Sequence, residues 1–101
     1  VQAIRQESTG LQVGKTGAFS RLKIWPNPAA KSMTFEGWTG KAGLKILTLT
    51  GELVKDVPNI ESGYKWQLDN DSNESIASGL YFYIIKDESG NSRVGTLAVI
   101  R

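Results

Sequence analysis

Asp69-Asn70-Asp71-Ser72-Asn73 places oxygen-bearing side chains at every second position, the spacing with which a calcium-binding loop opens. Asp69, Asp71 and Asn73 are therefore the candidate metal ligands. The rest of such a loop is missing. Its sixth position, glycine in a calcium loop, is Glu74, and its twelfth, a bidentate glutamate, is Leu80. Asp and Asn side chains also bond their own backbone in turns, so the stretch is expected to be a solvated turn that needs no ion. The three tryptophans raise a second possibility, because exposed and coplanar indoles can stack on sugars. Trp66 alternates with apolar residues and is expected in a core. Trp38, close between Gly37 and Gly40 in a turn-rich connector, is the candidate for a ligand-stacking aromatic; core packing, or a lid over one end of the fold, is the preferred alternative because large aromatics are mostly buried. Carboxylates are plentiful, but nearly all fall in turns or on polar strand faces, with no pair placed for acid–base work. Histidine and cysteine are both absent, which removes the commonest general base, the commonest metal ligand and the covalent triads. No catalytic residue and no cofactor are expected.

The elements that would position these residues are short strands. Six consecutive apolar or aromatic residues, 80–85, occupy the centre of the stretch Ile76-Ala-Ser-Gly-Leu-Tyr-Phe-Tyr-Ile-Ile-Lys86, too short and too β-branched and aromatic for a helix. Period two puts Tyr81, Tyr83 and Ile85 on one side and Leu80, Phe82 and Ile84 on the other, so a central strand buried on both faces is expected. Before it, residues 22–25 alternate and stop at Pro26 and Pro28, which cannot donate to a ladder. Residues 31–37, 44–49, 53–57 and 64–68 follow as strands, the third and fourth joined by a tight turn at Thr50-Gly51-Glu52. Residues 93–100 make the last. Seven strands with turn signals between them and no amphipathic helix predict an all-β antiparallel sandwich. Its core is expected to hold Ile24, Phe35, Ile46, Leu47, Val54, Trp66, Leu68, Leu80, Tyr81, Tyr83, Ile85, Leu97 and Val99.

Composition sets the outer bounds. A chain of 101 residues, 40% hydrophobic and 22% charged, is long enough for one domain with one core and needs no disulfide. The net charge of +2 comes without a basic run, so nucleic acid is not an expected partner. No apolar window reaches the roughly 20 residues that span a bilayer. Residues 1–20 are polar and glycine-bearing and are expected to be a linker or an extended N-terminal arm, with one weak strand at 1–5, ahead of a sandwich at 21–101. A start at Val1 suggests a fragment or a processed chain.

Ser78-Gly-Leu-Tyr-Phe-Tyr83 has the spacing of strand F in an immunoglobulin domain, with Tyr81 as the corner tyrosine and Tyr83 where antibodies carry their second cysteine. Together with Trp25-Pro-Asn-Pro28, Leu44-Lys-Ile-Leu-Thr-Leu-Thr-Gly-Glu-Leu-Val-Lys55, Trp66 before an Asp/Asn-rich loop, and Gly95-Thr-Leu-Ala-Val-Ile-Arg101, this order resembles the immunoglobulin-like C-terminal domains of bacterial secreted proteins. That group includes the type IX secretion sorting domains and the immunoglobulin-like domain of the flagellar hook-capping protein. One departure is Asn73, which stands where the family's Asp-rich turn closes with glycine; asparagine tolerates the left-handed backbone such a turn needs.

The resemblance implies a seven-stranded immunoglobulin-like sandwich and a non-catalytic sorting or attachment domain of a secreted or cell-surface protein. Its partners would be a secretion or surface-attachment machinery and an upstream domain of the same polypeptide. It also implies that the closing strand is what the machinery recognises, through Gly95, Leu97, Val99 and Arg101. Gly95 would admit another backbone, and Arg101 with Lys86 and Arg93 would form a cationic end to an apolar hairpin. The competing role is that Leu97 and Val99 complete the core and Arg101 is solvated. Two other functions stay open: an accessory carbohydrate-binding or spacer module of an extracellular enzyme, marked by an exposed Trp38, and a filament subunit that donates residues 1–18 as a strand.

Overall fold

Successive residues of a strand point to opposite sides, so a chain of short alternating strands buries its apolar half only by facing strands against strands. A computed structural model describes residues 17–101. A 3-10 turn at Gly17–Phe19 leads into β1 (Lys23–Trp25), β2 (Met33–Glu36), β3 (Ala42–Thr48), β4 (Leu53–Ile60), β5 (Tyr64–Trp66), β6 (Gly79–Asp87) and β7 (Ser92–Val99). One antiparallel sheet has the order β1-β2-β5 and the other β4-β3-β6-β7. This is the expected immunoglobulin-like sandwich, with β4 beside β3 in the larger sheet. The strand expected at 1–5 and the N-terminal arm up to residue 16 lie outside the described residues.

The interior sits between the sheets. Met33 and Phe35 face it from β2, Leu44 and Ile46 from β3, and Tyr81, Tyr83 and Ile85 from β6, closed off by Trp66, Leu68, Leu97 and Val99. Where an antibody domain joins its layers with a disulfide, Phe35 and Tyr83 meet edge to face across them, with ring centroids 6.1 Å apart. Phe19 lies in the same core although it precedes the expected start of the sandwich, and its ring packs against Trp38.

Four of the expected core residues differ. Ile24 and Val54 are partly buried and pack against the core from its margin, and Leu47 is half-buried on the outer side of β3. Leu80 is not in the core at all: it is 57% exposed. A strand apolar on both faces implies a layer over each, but only one face of β6 meets the other sheet. Leu80, Phe82 and Ile84 are left pointing outward.

Tyr81 forms the anticipated corner. Its hydroxyl donates to the Ala77 carbonyl at 2.7 Å, pinning the chain just before β6. Tyr81→Phe removes that hydrogen bond and no packing, so stability should fall by about 1 kcal/mol in urea unfolding. An unchanged midpoint would mean the corner holds without it.

Candidate functional site

The Asp/Asn-rich loop is held by its own side chains and docked on the edge of β4. Asn70 Oδ1 accepts from the N–H groups of Ser72 and Glu74, both at 2.9 Å, the self-bonded turn that asparagine favours. Asp69 pairs with Lys55 Nζ at 3.2 Å. Asp71 reaches the strand edge: its carboxylate accepts from Asp56 N–H at 3.2 Å and its own N–H donates to the Val54 carbonyl at 3.1 Å. Asn73 turns the chain in the left-handed region at φ 62°, as its place in a glycine position requires. Each of the three candidate ligands thus has a structural task. Among the described residues no three His, Cys, Asp or Glu side chains stand together as a metal site.

Trp38 does not offer its ring to a ligand. It is 8% exposed, with Nε1 donating to the Gly40 carbonyl at 3.0 Å and its ring packed edge to face with Phe19, so it serves as a lid on one end of the core. The tryptophan at the surface is Trp25, 45% exposed, whose Nε1 donates to the Glu36 carboxylate while Lys23 Nζ lies 6.0 Å from its ring centroid. Its outward direction follows from Ile24 pointing inward. Ending the strand at Pro26 gave no sign of it.

Residues expected to be recognised on β7 are turned into the fold. Leu97 and Val99 are each 1% exposed. Gly95 is paired with Tyr83 across the ladder, and a Cβ there would stand 2.6 Å from the tyrosine ring. The space Gly95 provides is filled by Tyr83, not by another backbone. Burial pushes the Tyr83 phenol above its ordinary pKa, while Arg93, hydrogen-bonded to it, pulls the other way. The Arg101 guanidinium is not a free cation either: Nη2 donates to the Leu68 carbonyl and Nε to that of Ile76, each at 2.8 Å, and the Arg101 N–H donates to Ser78 Oγ. Leu68 is buried with φ at 58°, a strained backbone for a branched side chain, and the same carbonyl also accepts from Ile76 N–H. Arg101 therefore holds together the corner between β5 and β6. Arg93 and Lys86 lie at the opposite end of the hairpin, separated from it by the length of the strand, on the order of 25 Å at about 3.3 Å per residue. The expected cationic cluster does not form.

Both edges of the four-stranded sheet are covered in part. On β7, Ala98 N–H donates to Asn27 Oδ1, its carbonyl accepts from Ala29 N–H, and Ile100 N–H donates to the Ala29 carbonyl, so the segment after β1 lies parallel against the strand. Farther back along β7, Arg93 Nη1 donates to the Phe19 carbonyl at 3.0 Å. On β4 the edge is taken by Asp71, and Pro58 in the same strand has no N–H to offer. Such an edge resists the addition of another strand.

The Asp/Asn-rich loop and the closing strand are thus committed to the cohesion of the sandwich. The chain belongs to the secretion system C-terminal sorting domain family, whose model matches residues 23–99. It is thus a sorting domain of the type IX secretion system, a family that is generally non-catalytic and belongs to secreted or cell-surface proteins. Among solved structures it is similar to PorZ of Porphyromonas gingivalis, an essential bacterial surface component of the type IX secretion system, with 26% identity and a TM-score of 0.71 over 87% of this chain. Dimeric latent PorU of the same organism shares the fold at 23% identity and a TM-score of 0.58 over 78% of this chain. The chain spans 12% and 9% of the lengths of those two proteins. No curated protein matches it. Among the described residues no helix is long and apolar enough to cross a membrane.

Two substitutions test the structural tasks. Gly95→Ala drives a methyl into the Tyr83 ring and should cost about 1–3 kcal/mol by overpacking, read from the unfolding midpoint. Arg101→Ala strips two charged donors from the Leu68 and Ile76 carbonyls and should cost about 1–2 kcal/mol. Wild-type stability in the Arg101 variant would show that water replaces the guanidinium without loss.

Proposed function

We propose that this domain is a folded address: the type IX machinery binds the assembled sandwich and carries across whatever is joined to it, and the domain takes no chemical part. The observation that carries this is the extent of the family match, which runs from the first strand to the end of the last. A unit that needs all seven strands is addressed by its shape. Gly95, Leu97, Val99 and Arg101 contribute to recognition by holding β7 and the corner at Leu68 in place, since their side chains face the fold. The absence of histidine and cysteine from the sequence fits a domain without chemistry of its own.

Removing residues 17–101 from the full-length protein, in a host that has the machine, should leave the product inside the cell, with the amount outside reduced about tenfold or more. Fractionation with surface labelling measures it. Export at the normal level without these residues would sink the proposal.

A further inference from the structure

The outer face of the four-stranded sheet is apolar across its strands. Along β6, Leu80, Phe82 and Ile84 point away from the core; Leu47 stands in register beside Phe82, and Val94 beside Ile84. Leu53, Leu80, Val94 and Ile100 are each more than half exposed. Single exposed aliphatic residues are ordinary on a protein surface, but a contiguous sheet of them marks a place where something binds. Strand addition to this sheet is obstructed, because part of each edge is covered. What the face itself offers to a partner is side chains.

The charges on this face narrow the occupant. Lys45 and Lys86 flank Ile84, and with Gly43, Asp56 and Pro58 they line a groove of about 430 Å³. The missing side chain at Gly43 leaves the floor open. Asp56 stands opposite Lys45 in register, while Lys86 has no ion pair among the described residues. A second copy laid face to face would bring four lysines against two aspartates as the interface dries, which opposes self-association. A partner with carboxylates around an apolar centre answers both the leucines and the unpaired lysine.

We propose that this face is the surface by which a protein of the secretion machinery grips the domain, and that the gripping surface is apolar, with carboxylates placed to meet Lys86 and Lys45. The proposal rests on the sorting function given above. It assigns recognition to side chains outside the core, where a change alters binding without altering the fold.

The test uses the full-length protein in a host that has the machine. One variant combines Leu80→Glu with Val94→Glu, a second carries Lys86→Glu, and a control carries Lys65→Glu on the other sheet. Circular dichroism and unfolding midpoints should stay at wild-type values in all three. Export should fall about tenfold or more in the double variant and several-fold in Lys86→Glu, and stay normal in the control. A double variant that is folded and exported normally overturns the proposal. So does normal export joined to loss of a dimer in sedimentation, or to loss of binding to vesicles of outer-membrane lipid, since the face would then serve a second copy or a membrane. If the double variant fails to fold, Lys86→Glu decides alone: folded and exported normally, it overturns the proposal. None of these results touches the sorting function itself, which stands or falls with the truncation of residues 17–101.

Discussion

Tyr83 is the side chain through which both layers of the sandwich are joined. Its ring meets Phe35 of the opposite sheet edge to face, fills the space above Gly95 on the next strand, and carries a hydroxyl bonded to Arg93. Arg93 in turn donates to the carbonyl of Phe19, so one aromatic residue couples β2, β6, β7 and the N-terminal turn. An aromatic pair contributes about 0.5–1.5 kcal/mol beyond its buried area. A disulfide at the same place gives about 2–4 kcal/mol. The rest of the cohesion has to come from the shared interior, which explains why the turn before β1 sends Phe19 into it and why Trp38 closes its end.

Most of the strand plan could be read in the residues because alternation is a local property. Tyr81, Tyr83 and Ile85 on one side and Leu80, Phe82 and Ile84 on the other define β6 without help from the rest of the chain. What lies over each side is not local, and the alternation of β6 reads the same whether one layer or two cover it. That is why Leu80 was expected inside. Phe19 escaped notice for a related reason: it is a lone aromatic beside polar residues, and only the folded neighbourhood of Trp38 and Arg93 gives it a place. Asn73 was legible, because a left-handed turn leaves few residue types to choose from. Arg101 was not, since a charged side chain after a strand carries no mark of the two carbonyls that come to meet it from elsewhere in the chain.

The same features separate what holds the fold from what is offered to a partner. The Asp-rich loop, Pro58, Asn27 and Ala29 cover part of each edge of the larger sheet and so hinder indiscriminate pairing through backbone hydrogen bonds. What remains available is specific to side chains: apolar residues in register, a groove, and two lysines.

Ala29 and Ala98 meet from nearly opposite ends of the described chain, and Arg101 reaches back to Leu68 and Ile76. Contacts that span most of a chain form late, because the long loop between them has to close first. A polypeptide emerging from a ribosome presents β6 and most of its partners before residues 98–101 exist, yet it lacks the parallel bridge to Ala29 and the guanidinium that steadies the corner. A chain cut before these residues would leave the corner at Leu68 without its guanidinium and β7 without the parallel bridge to Ala29.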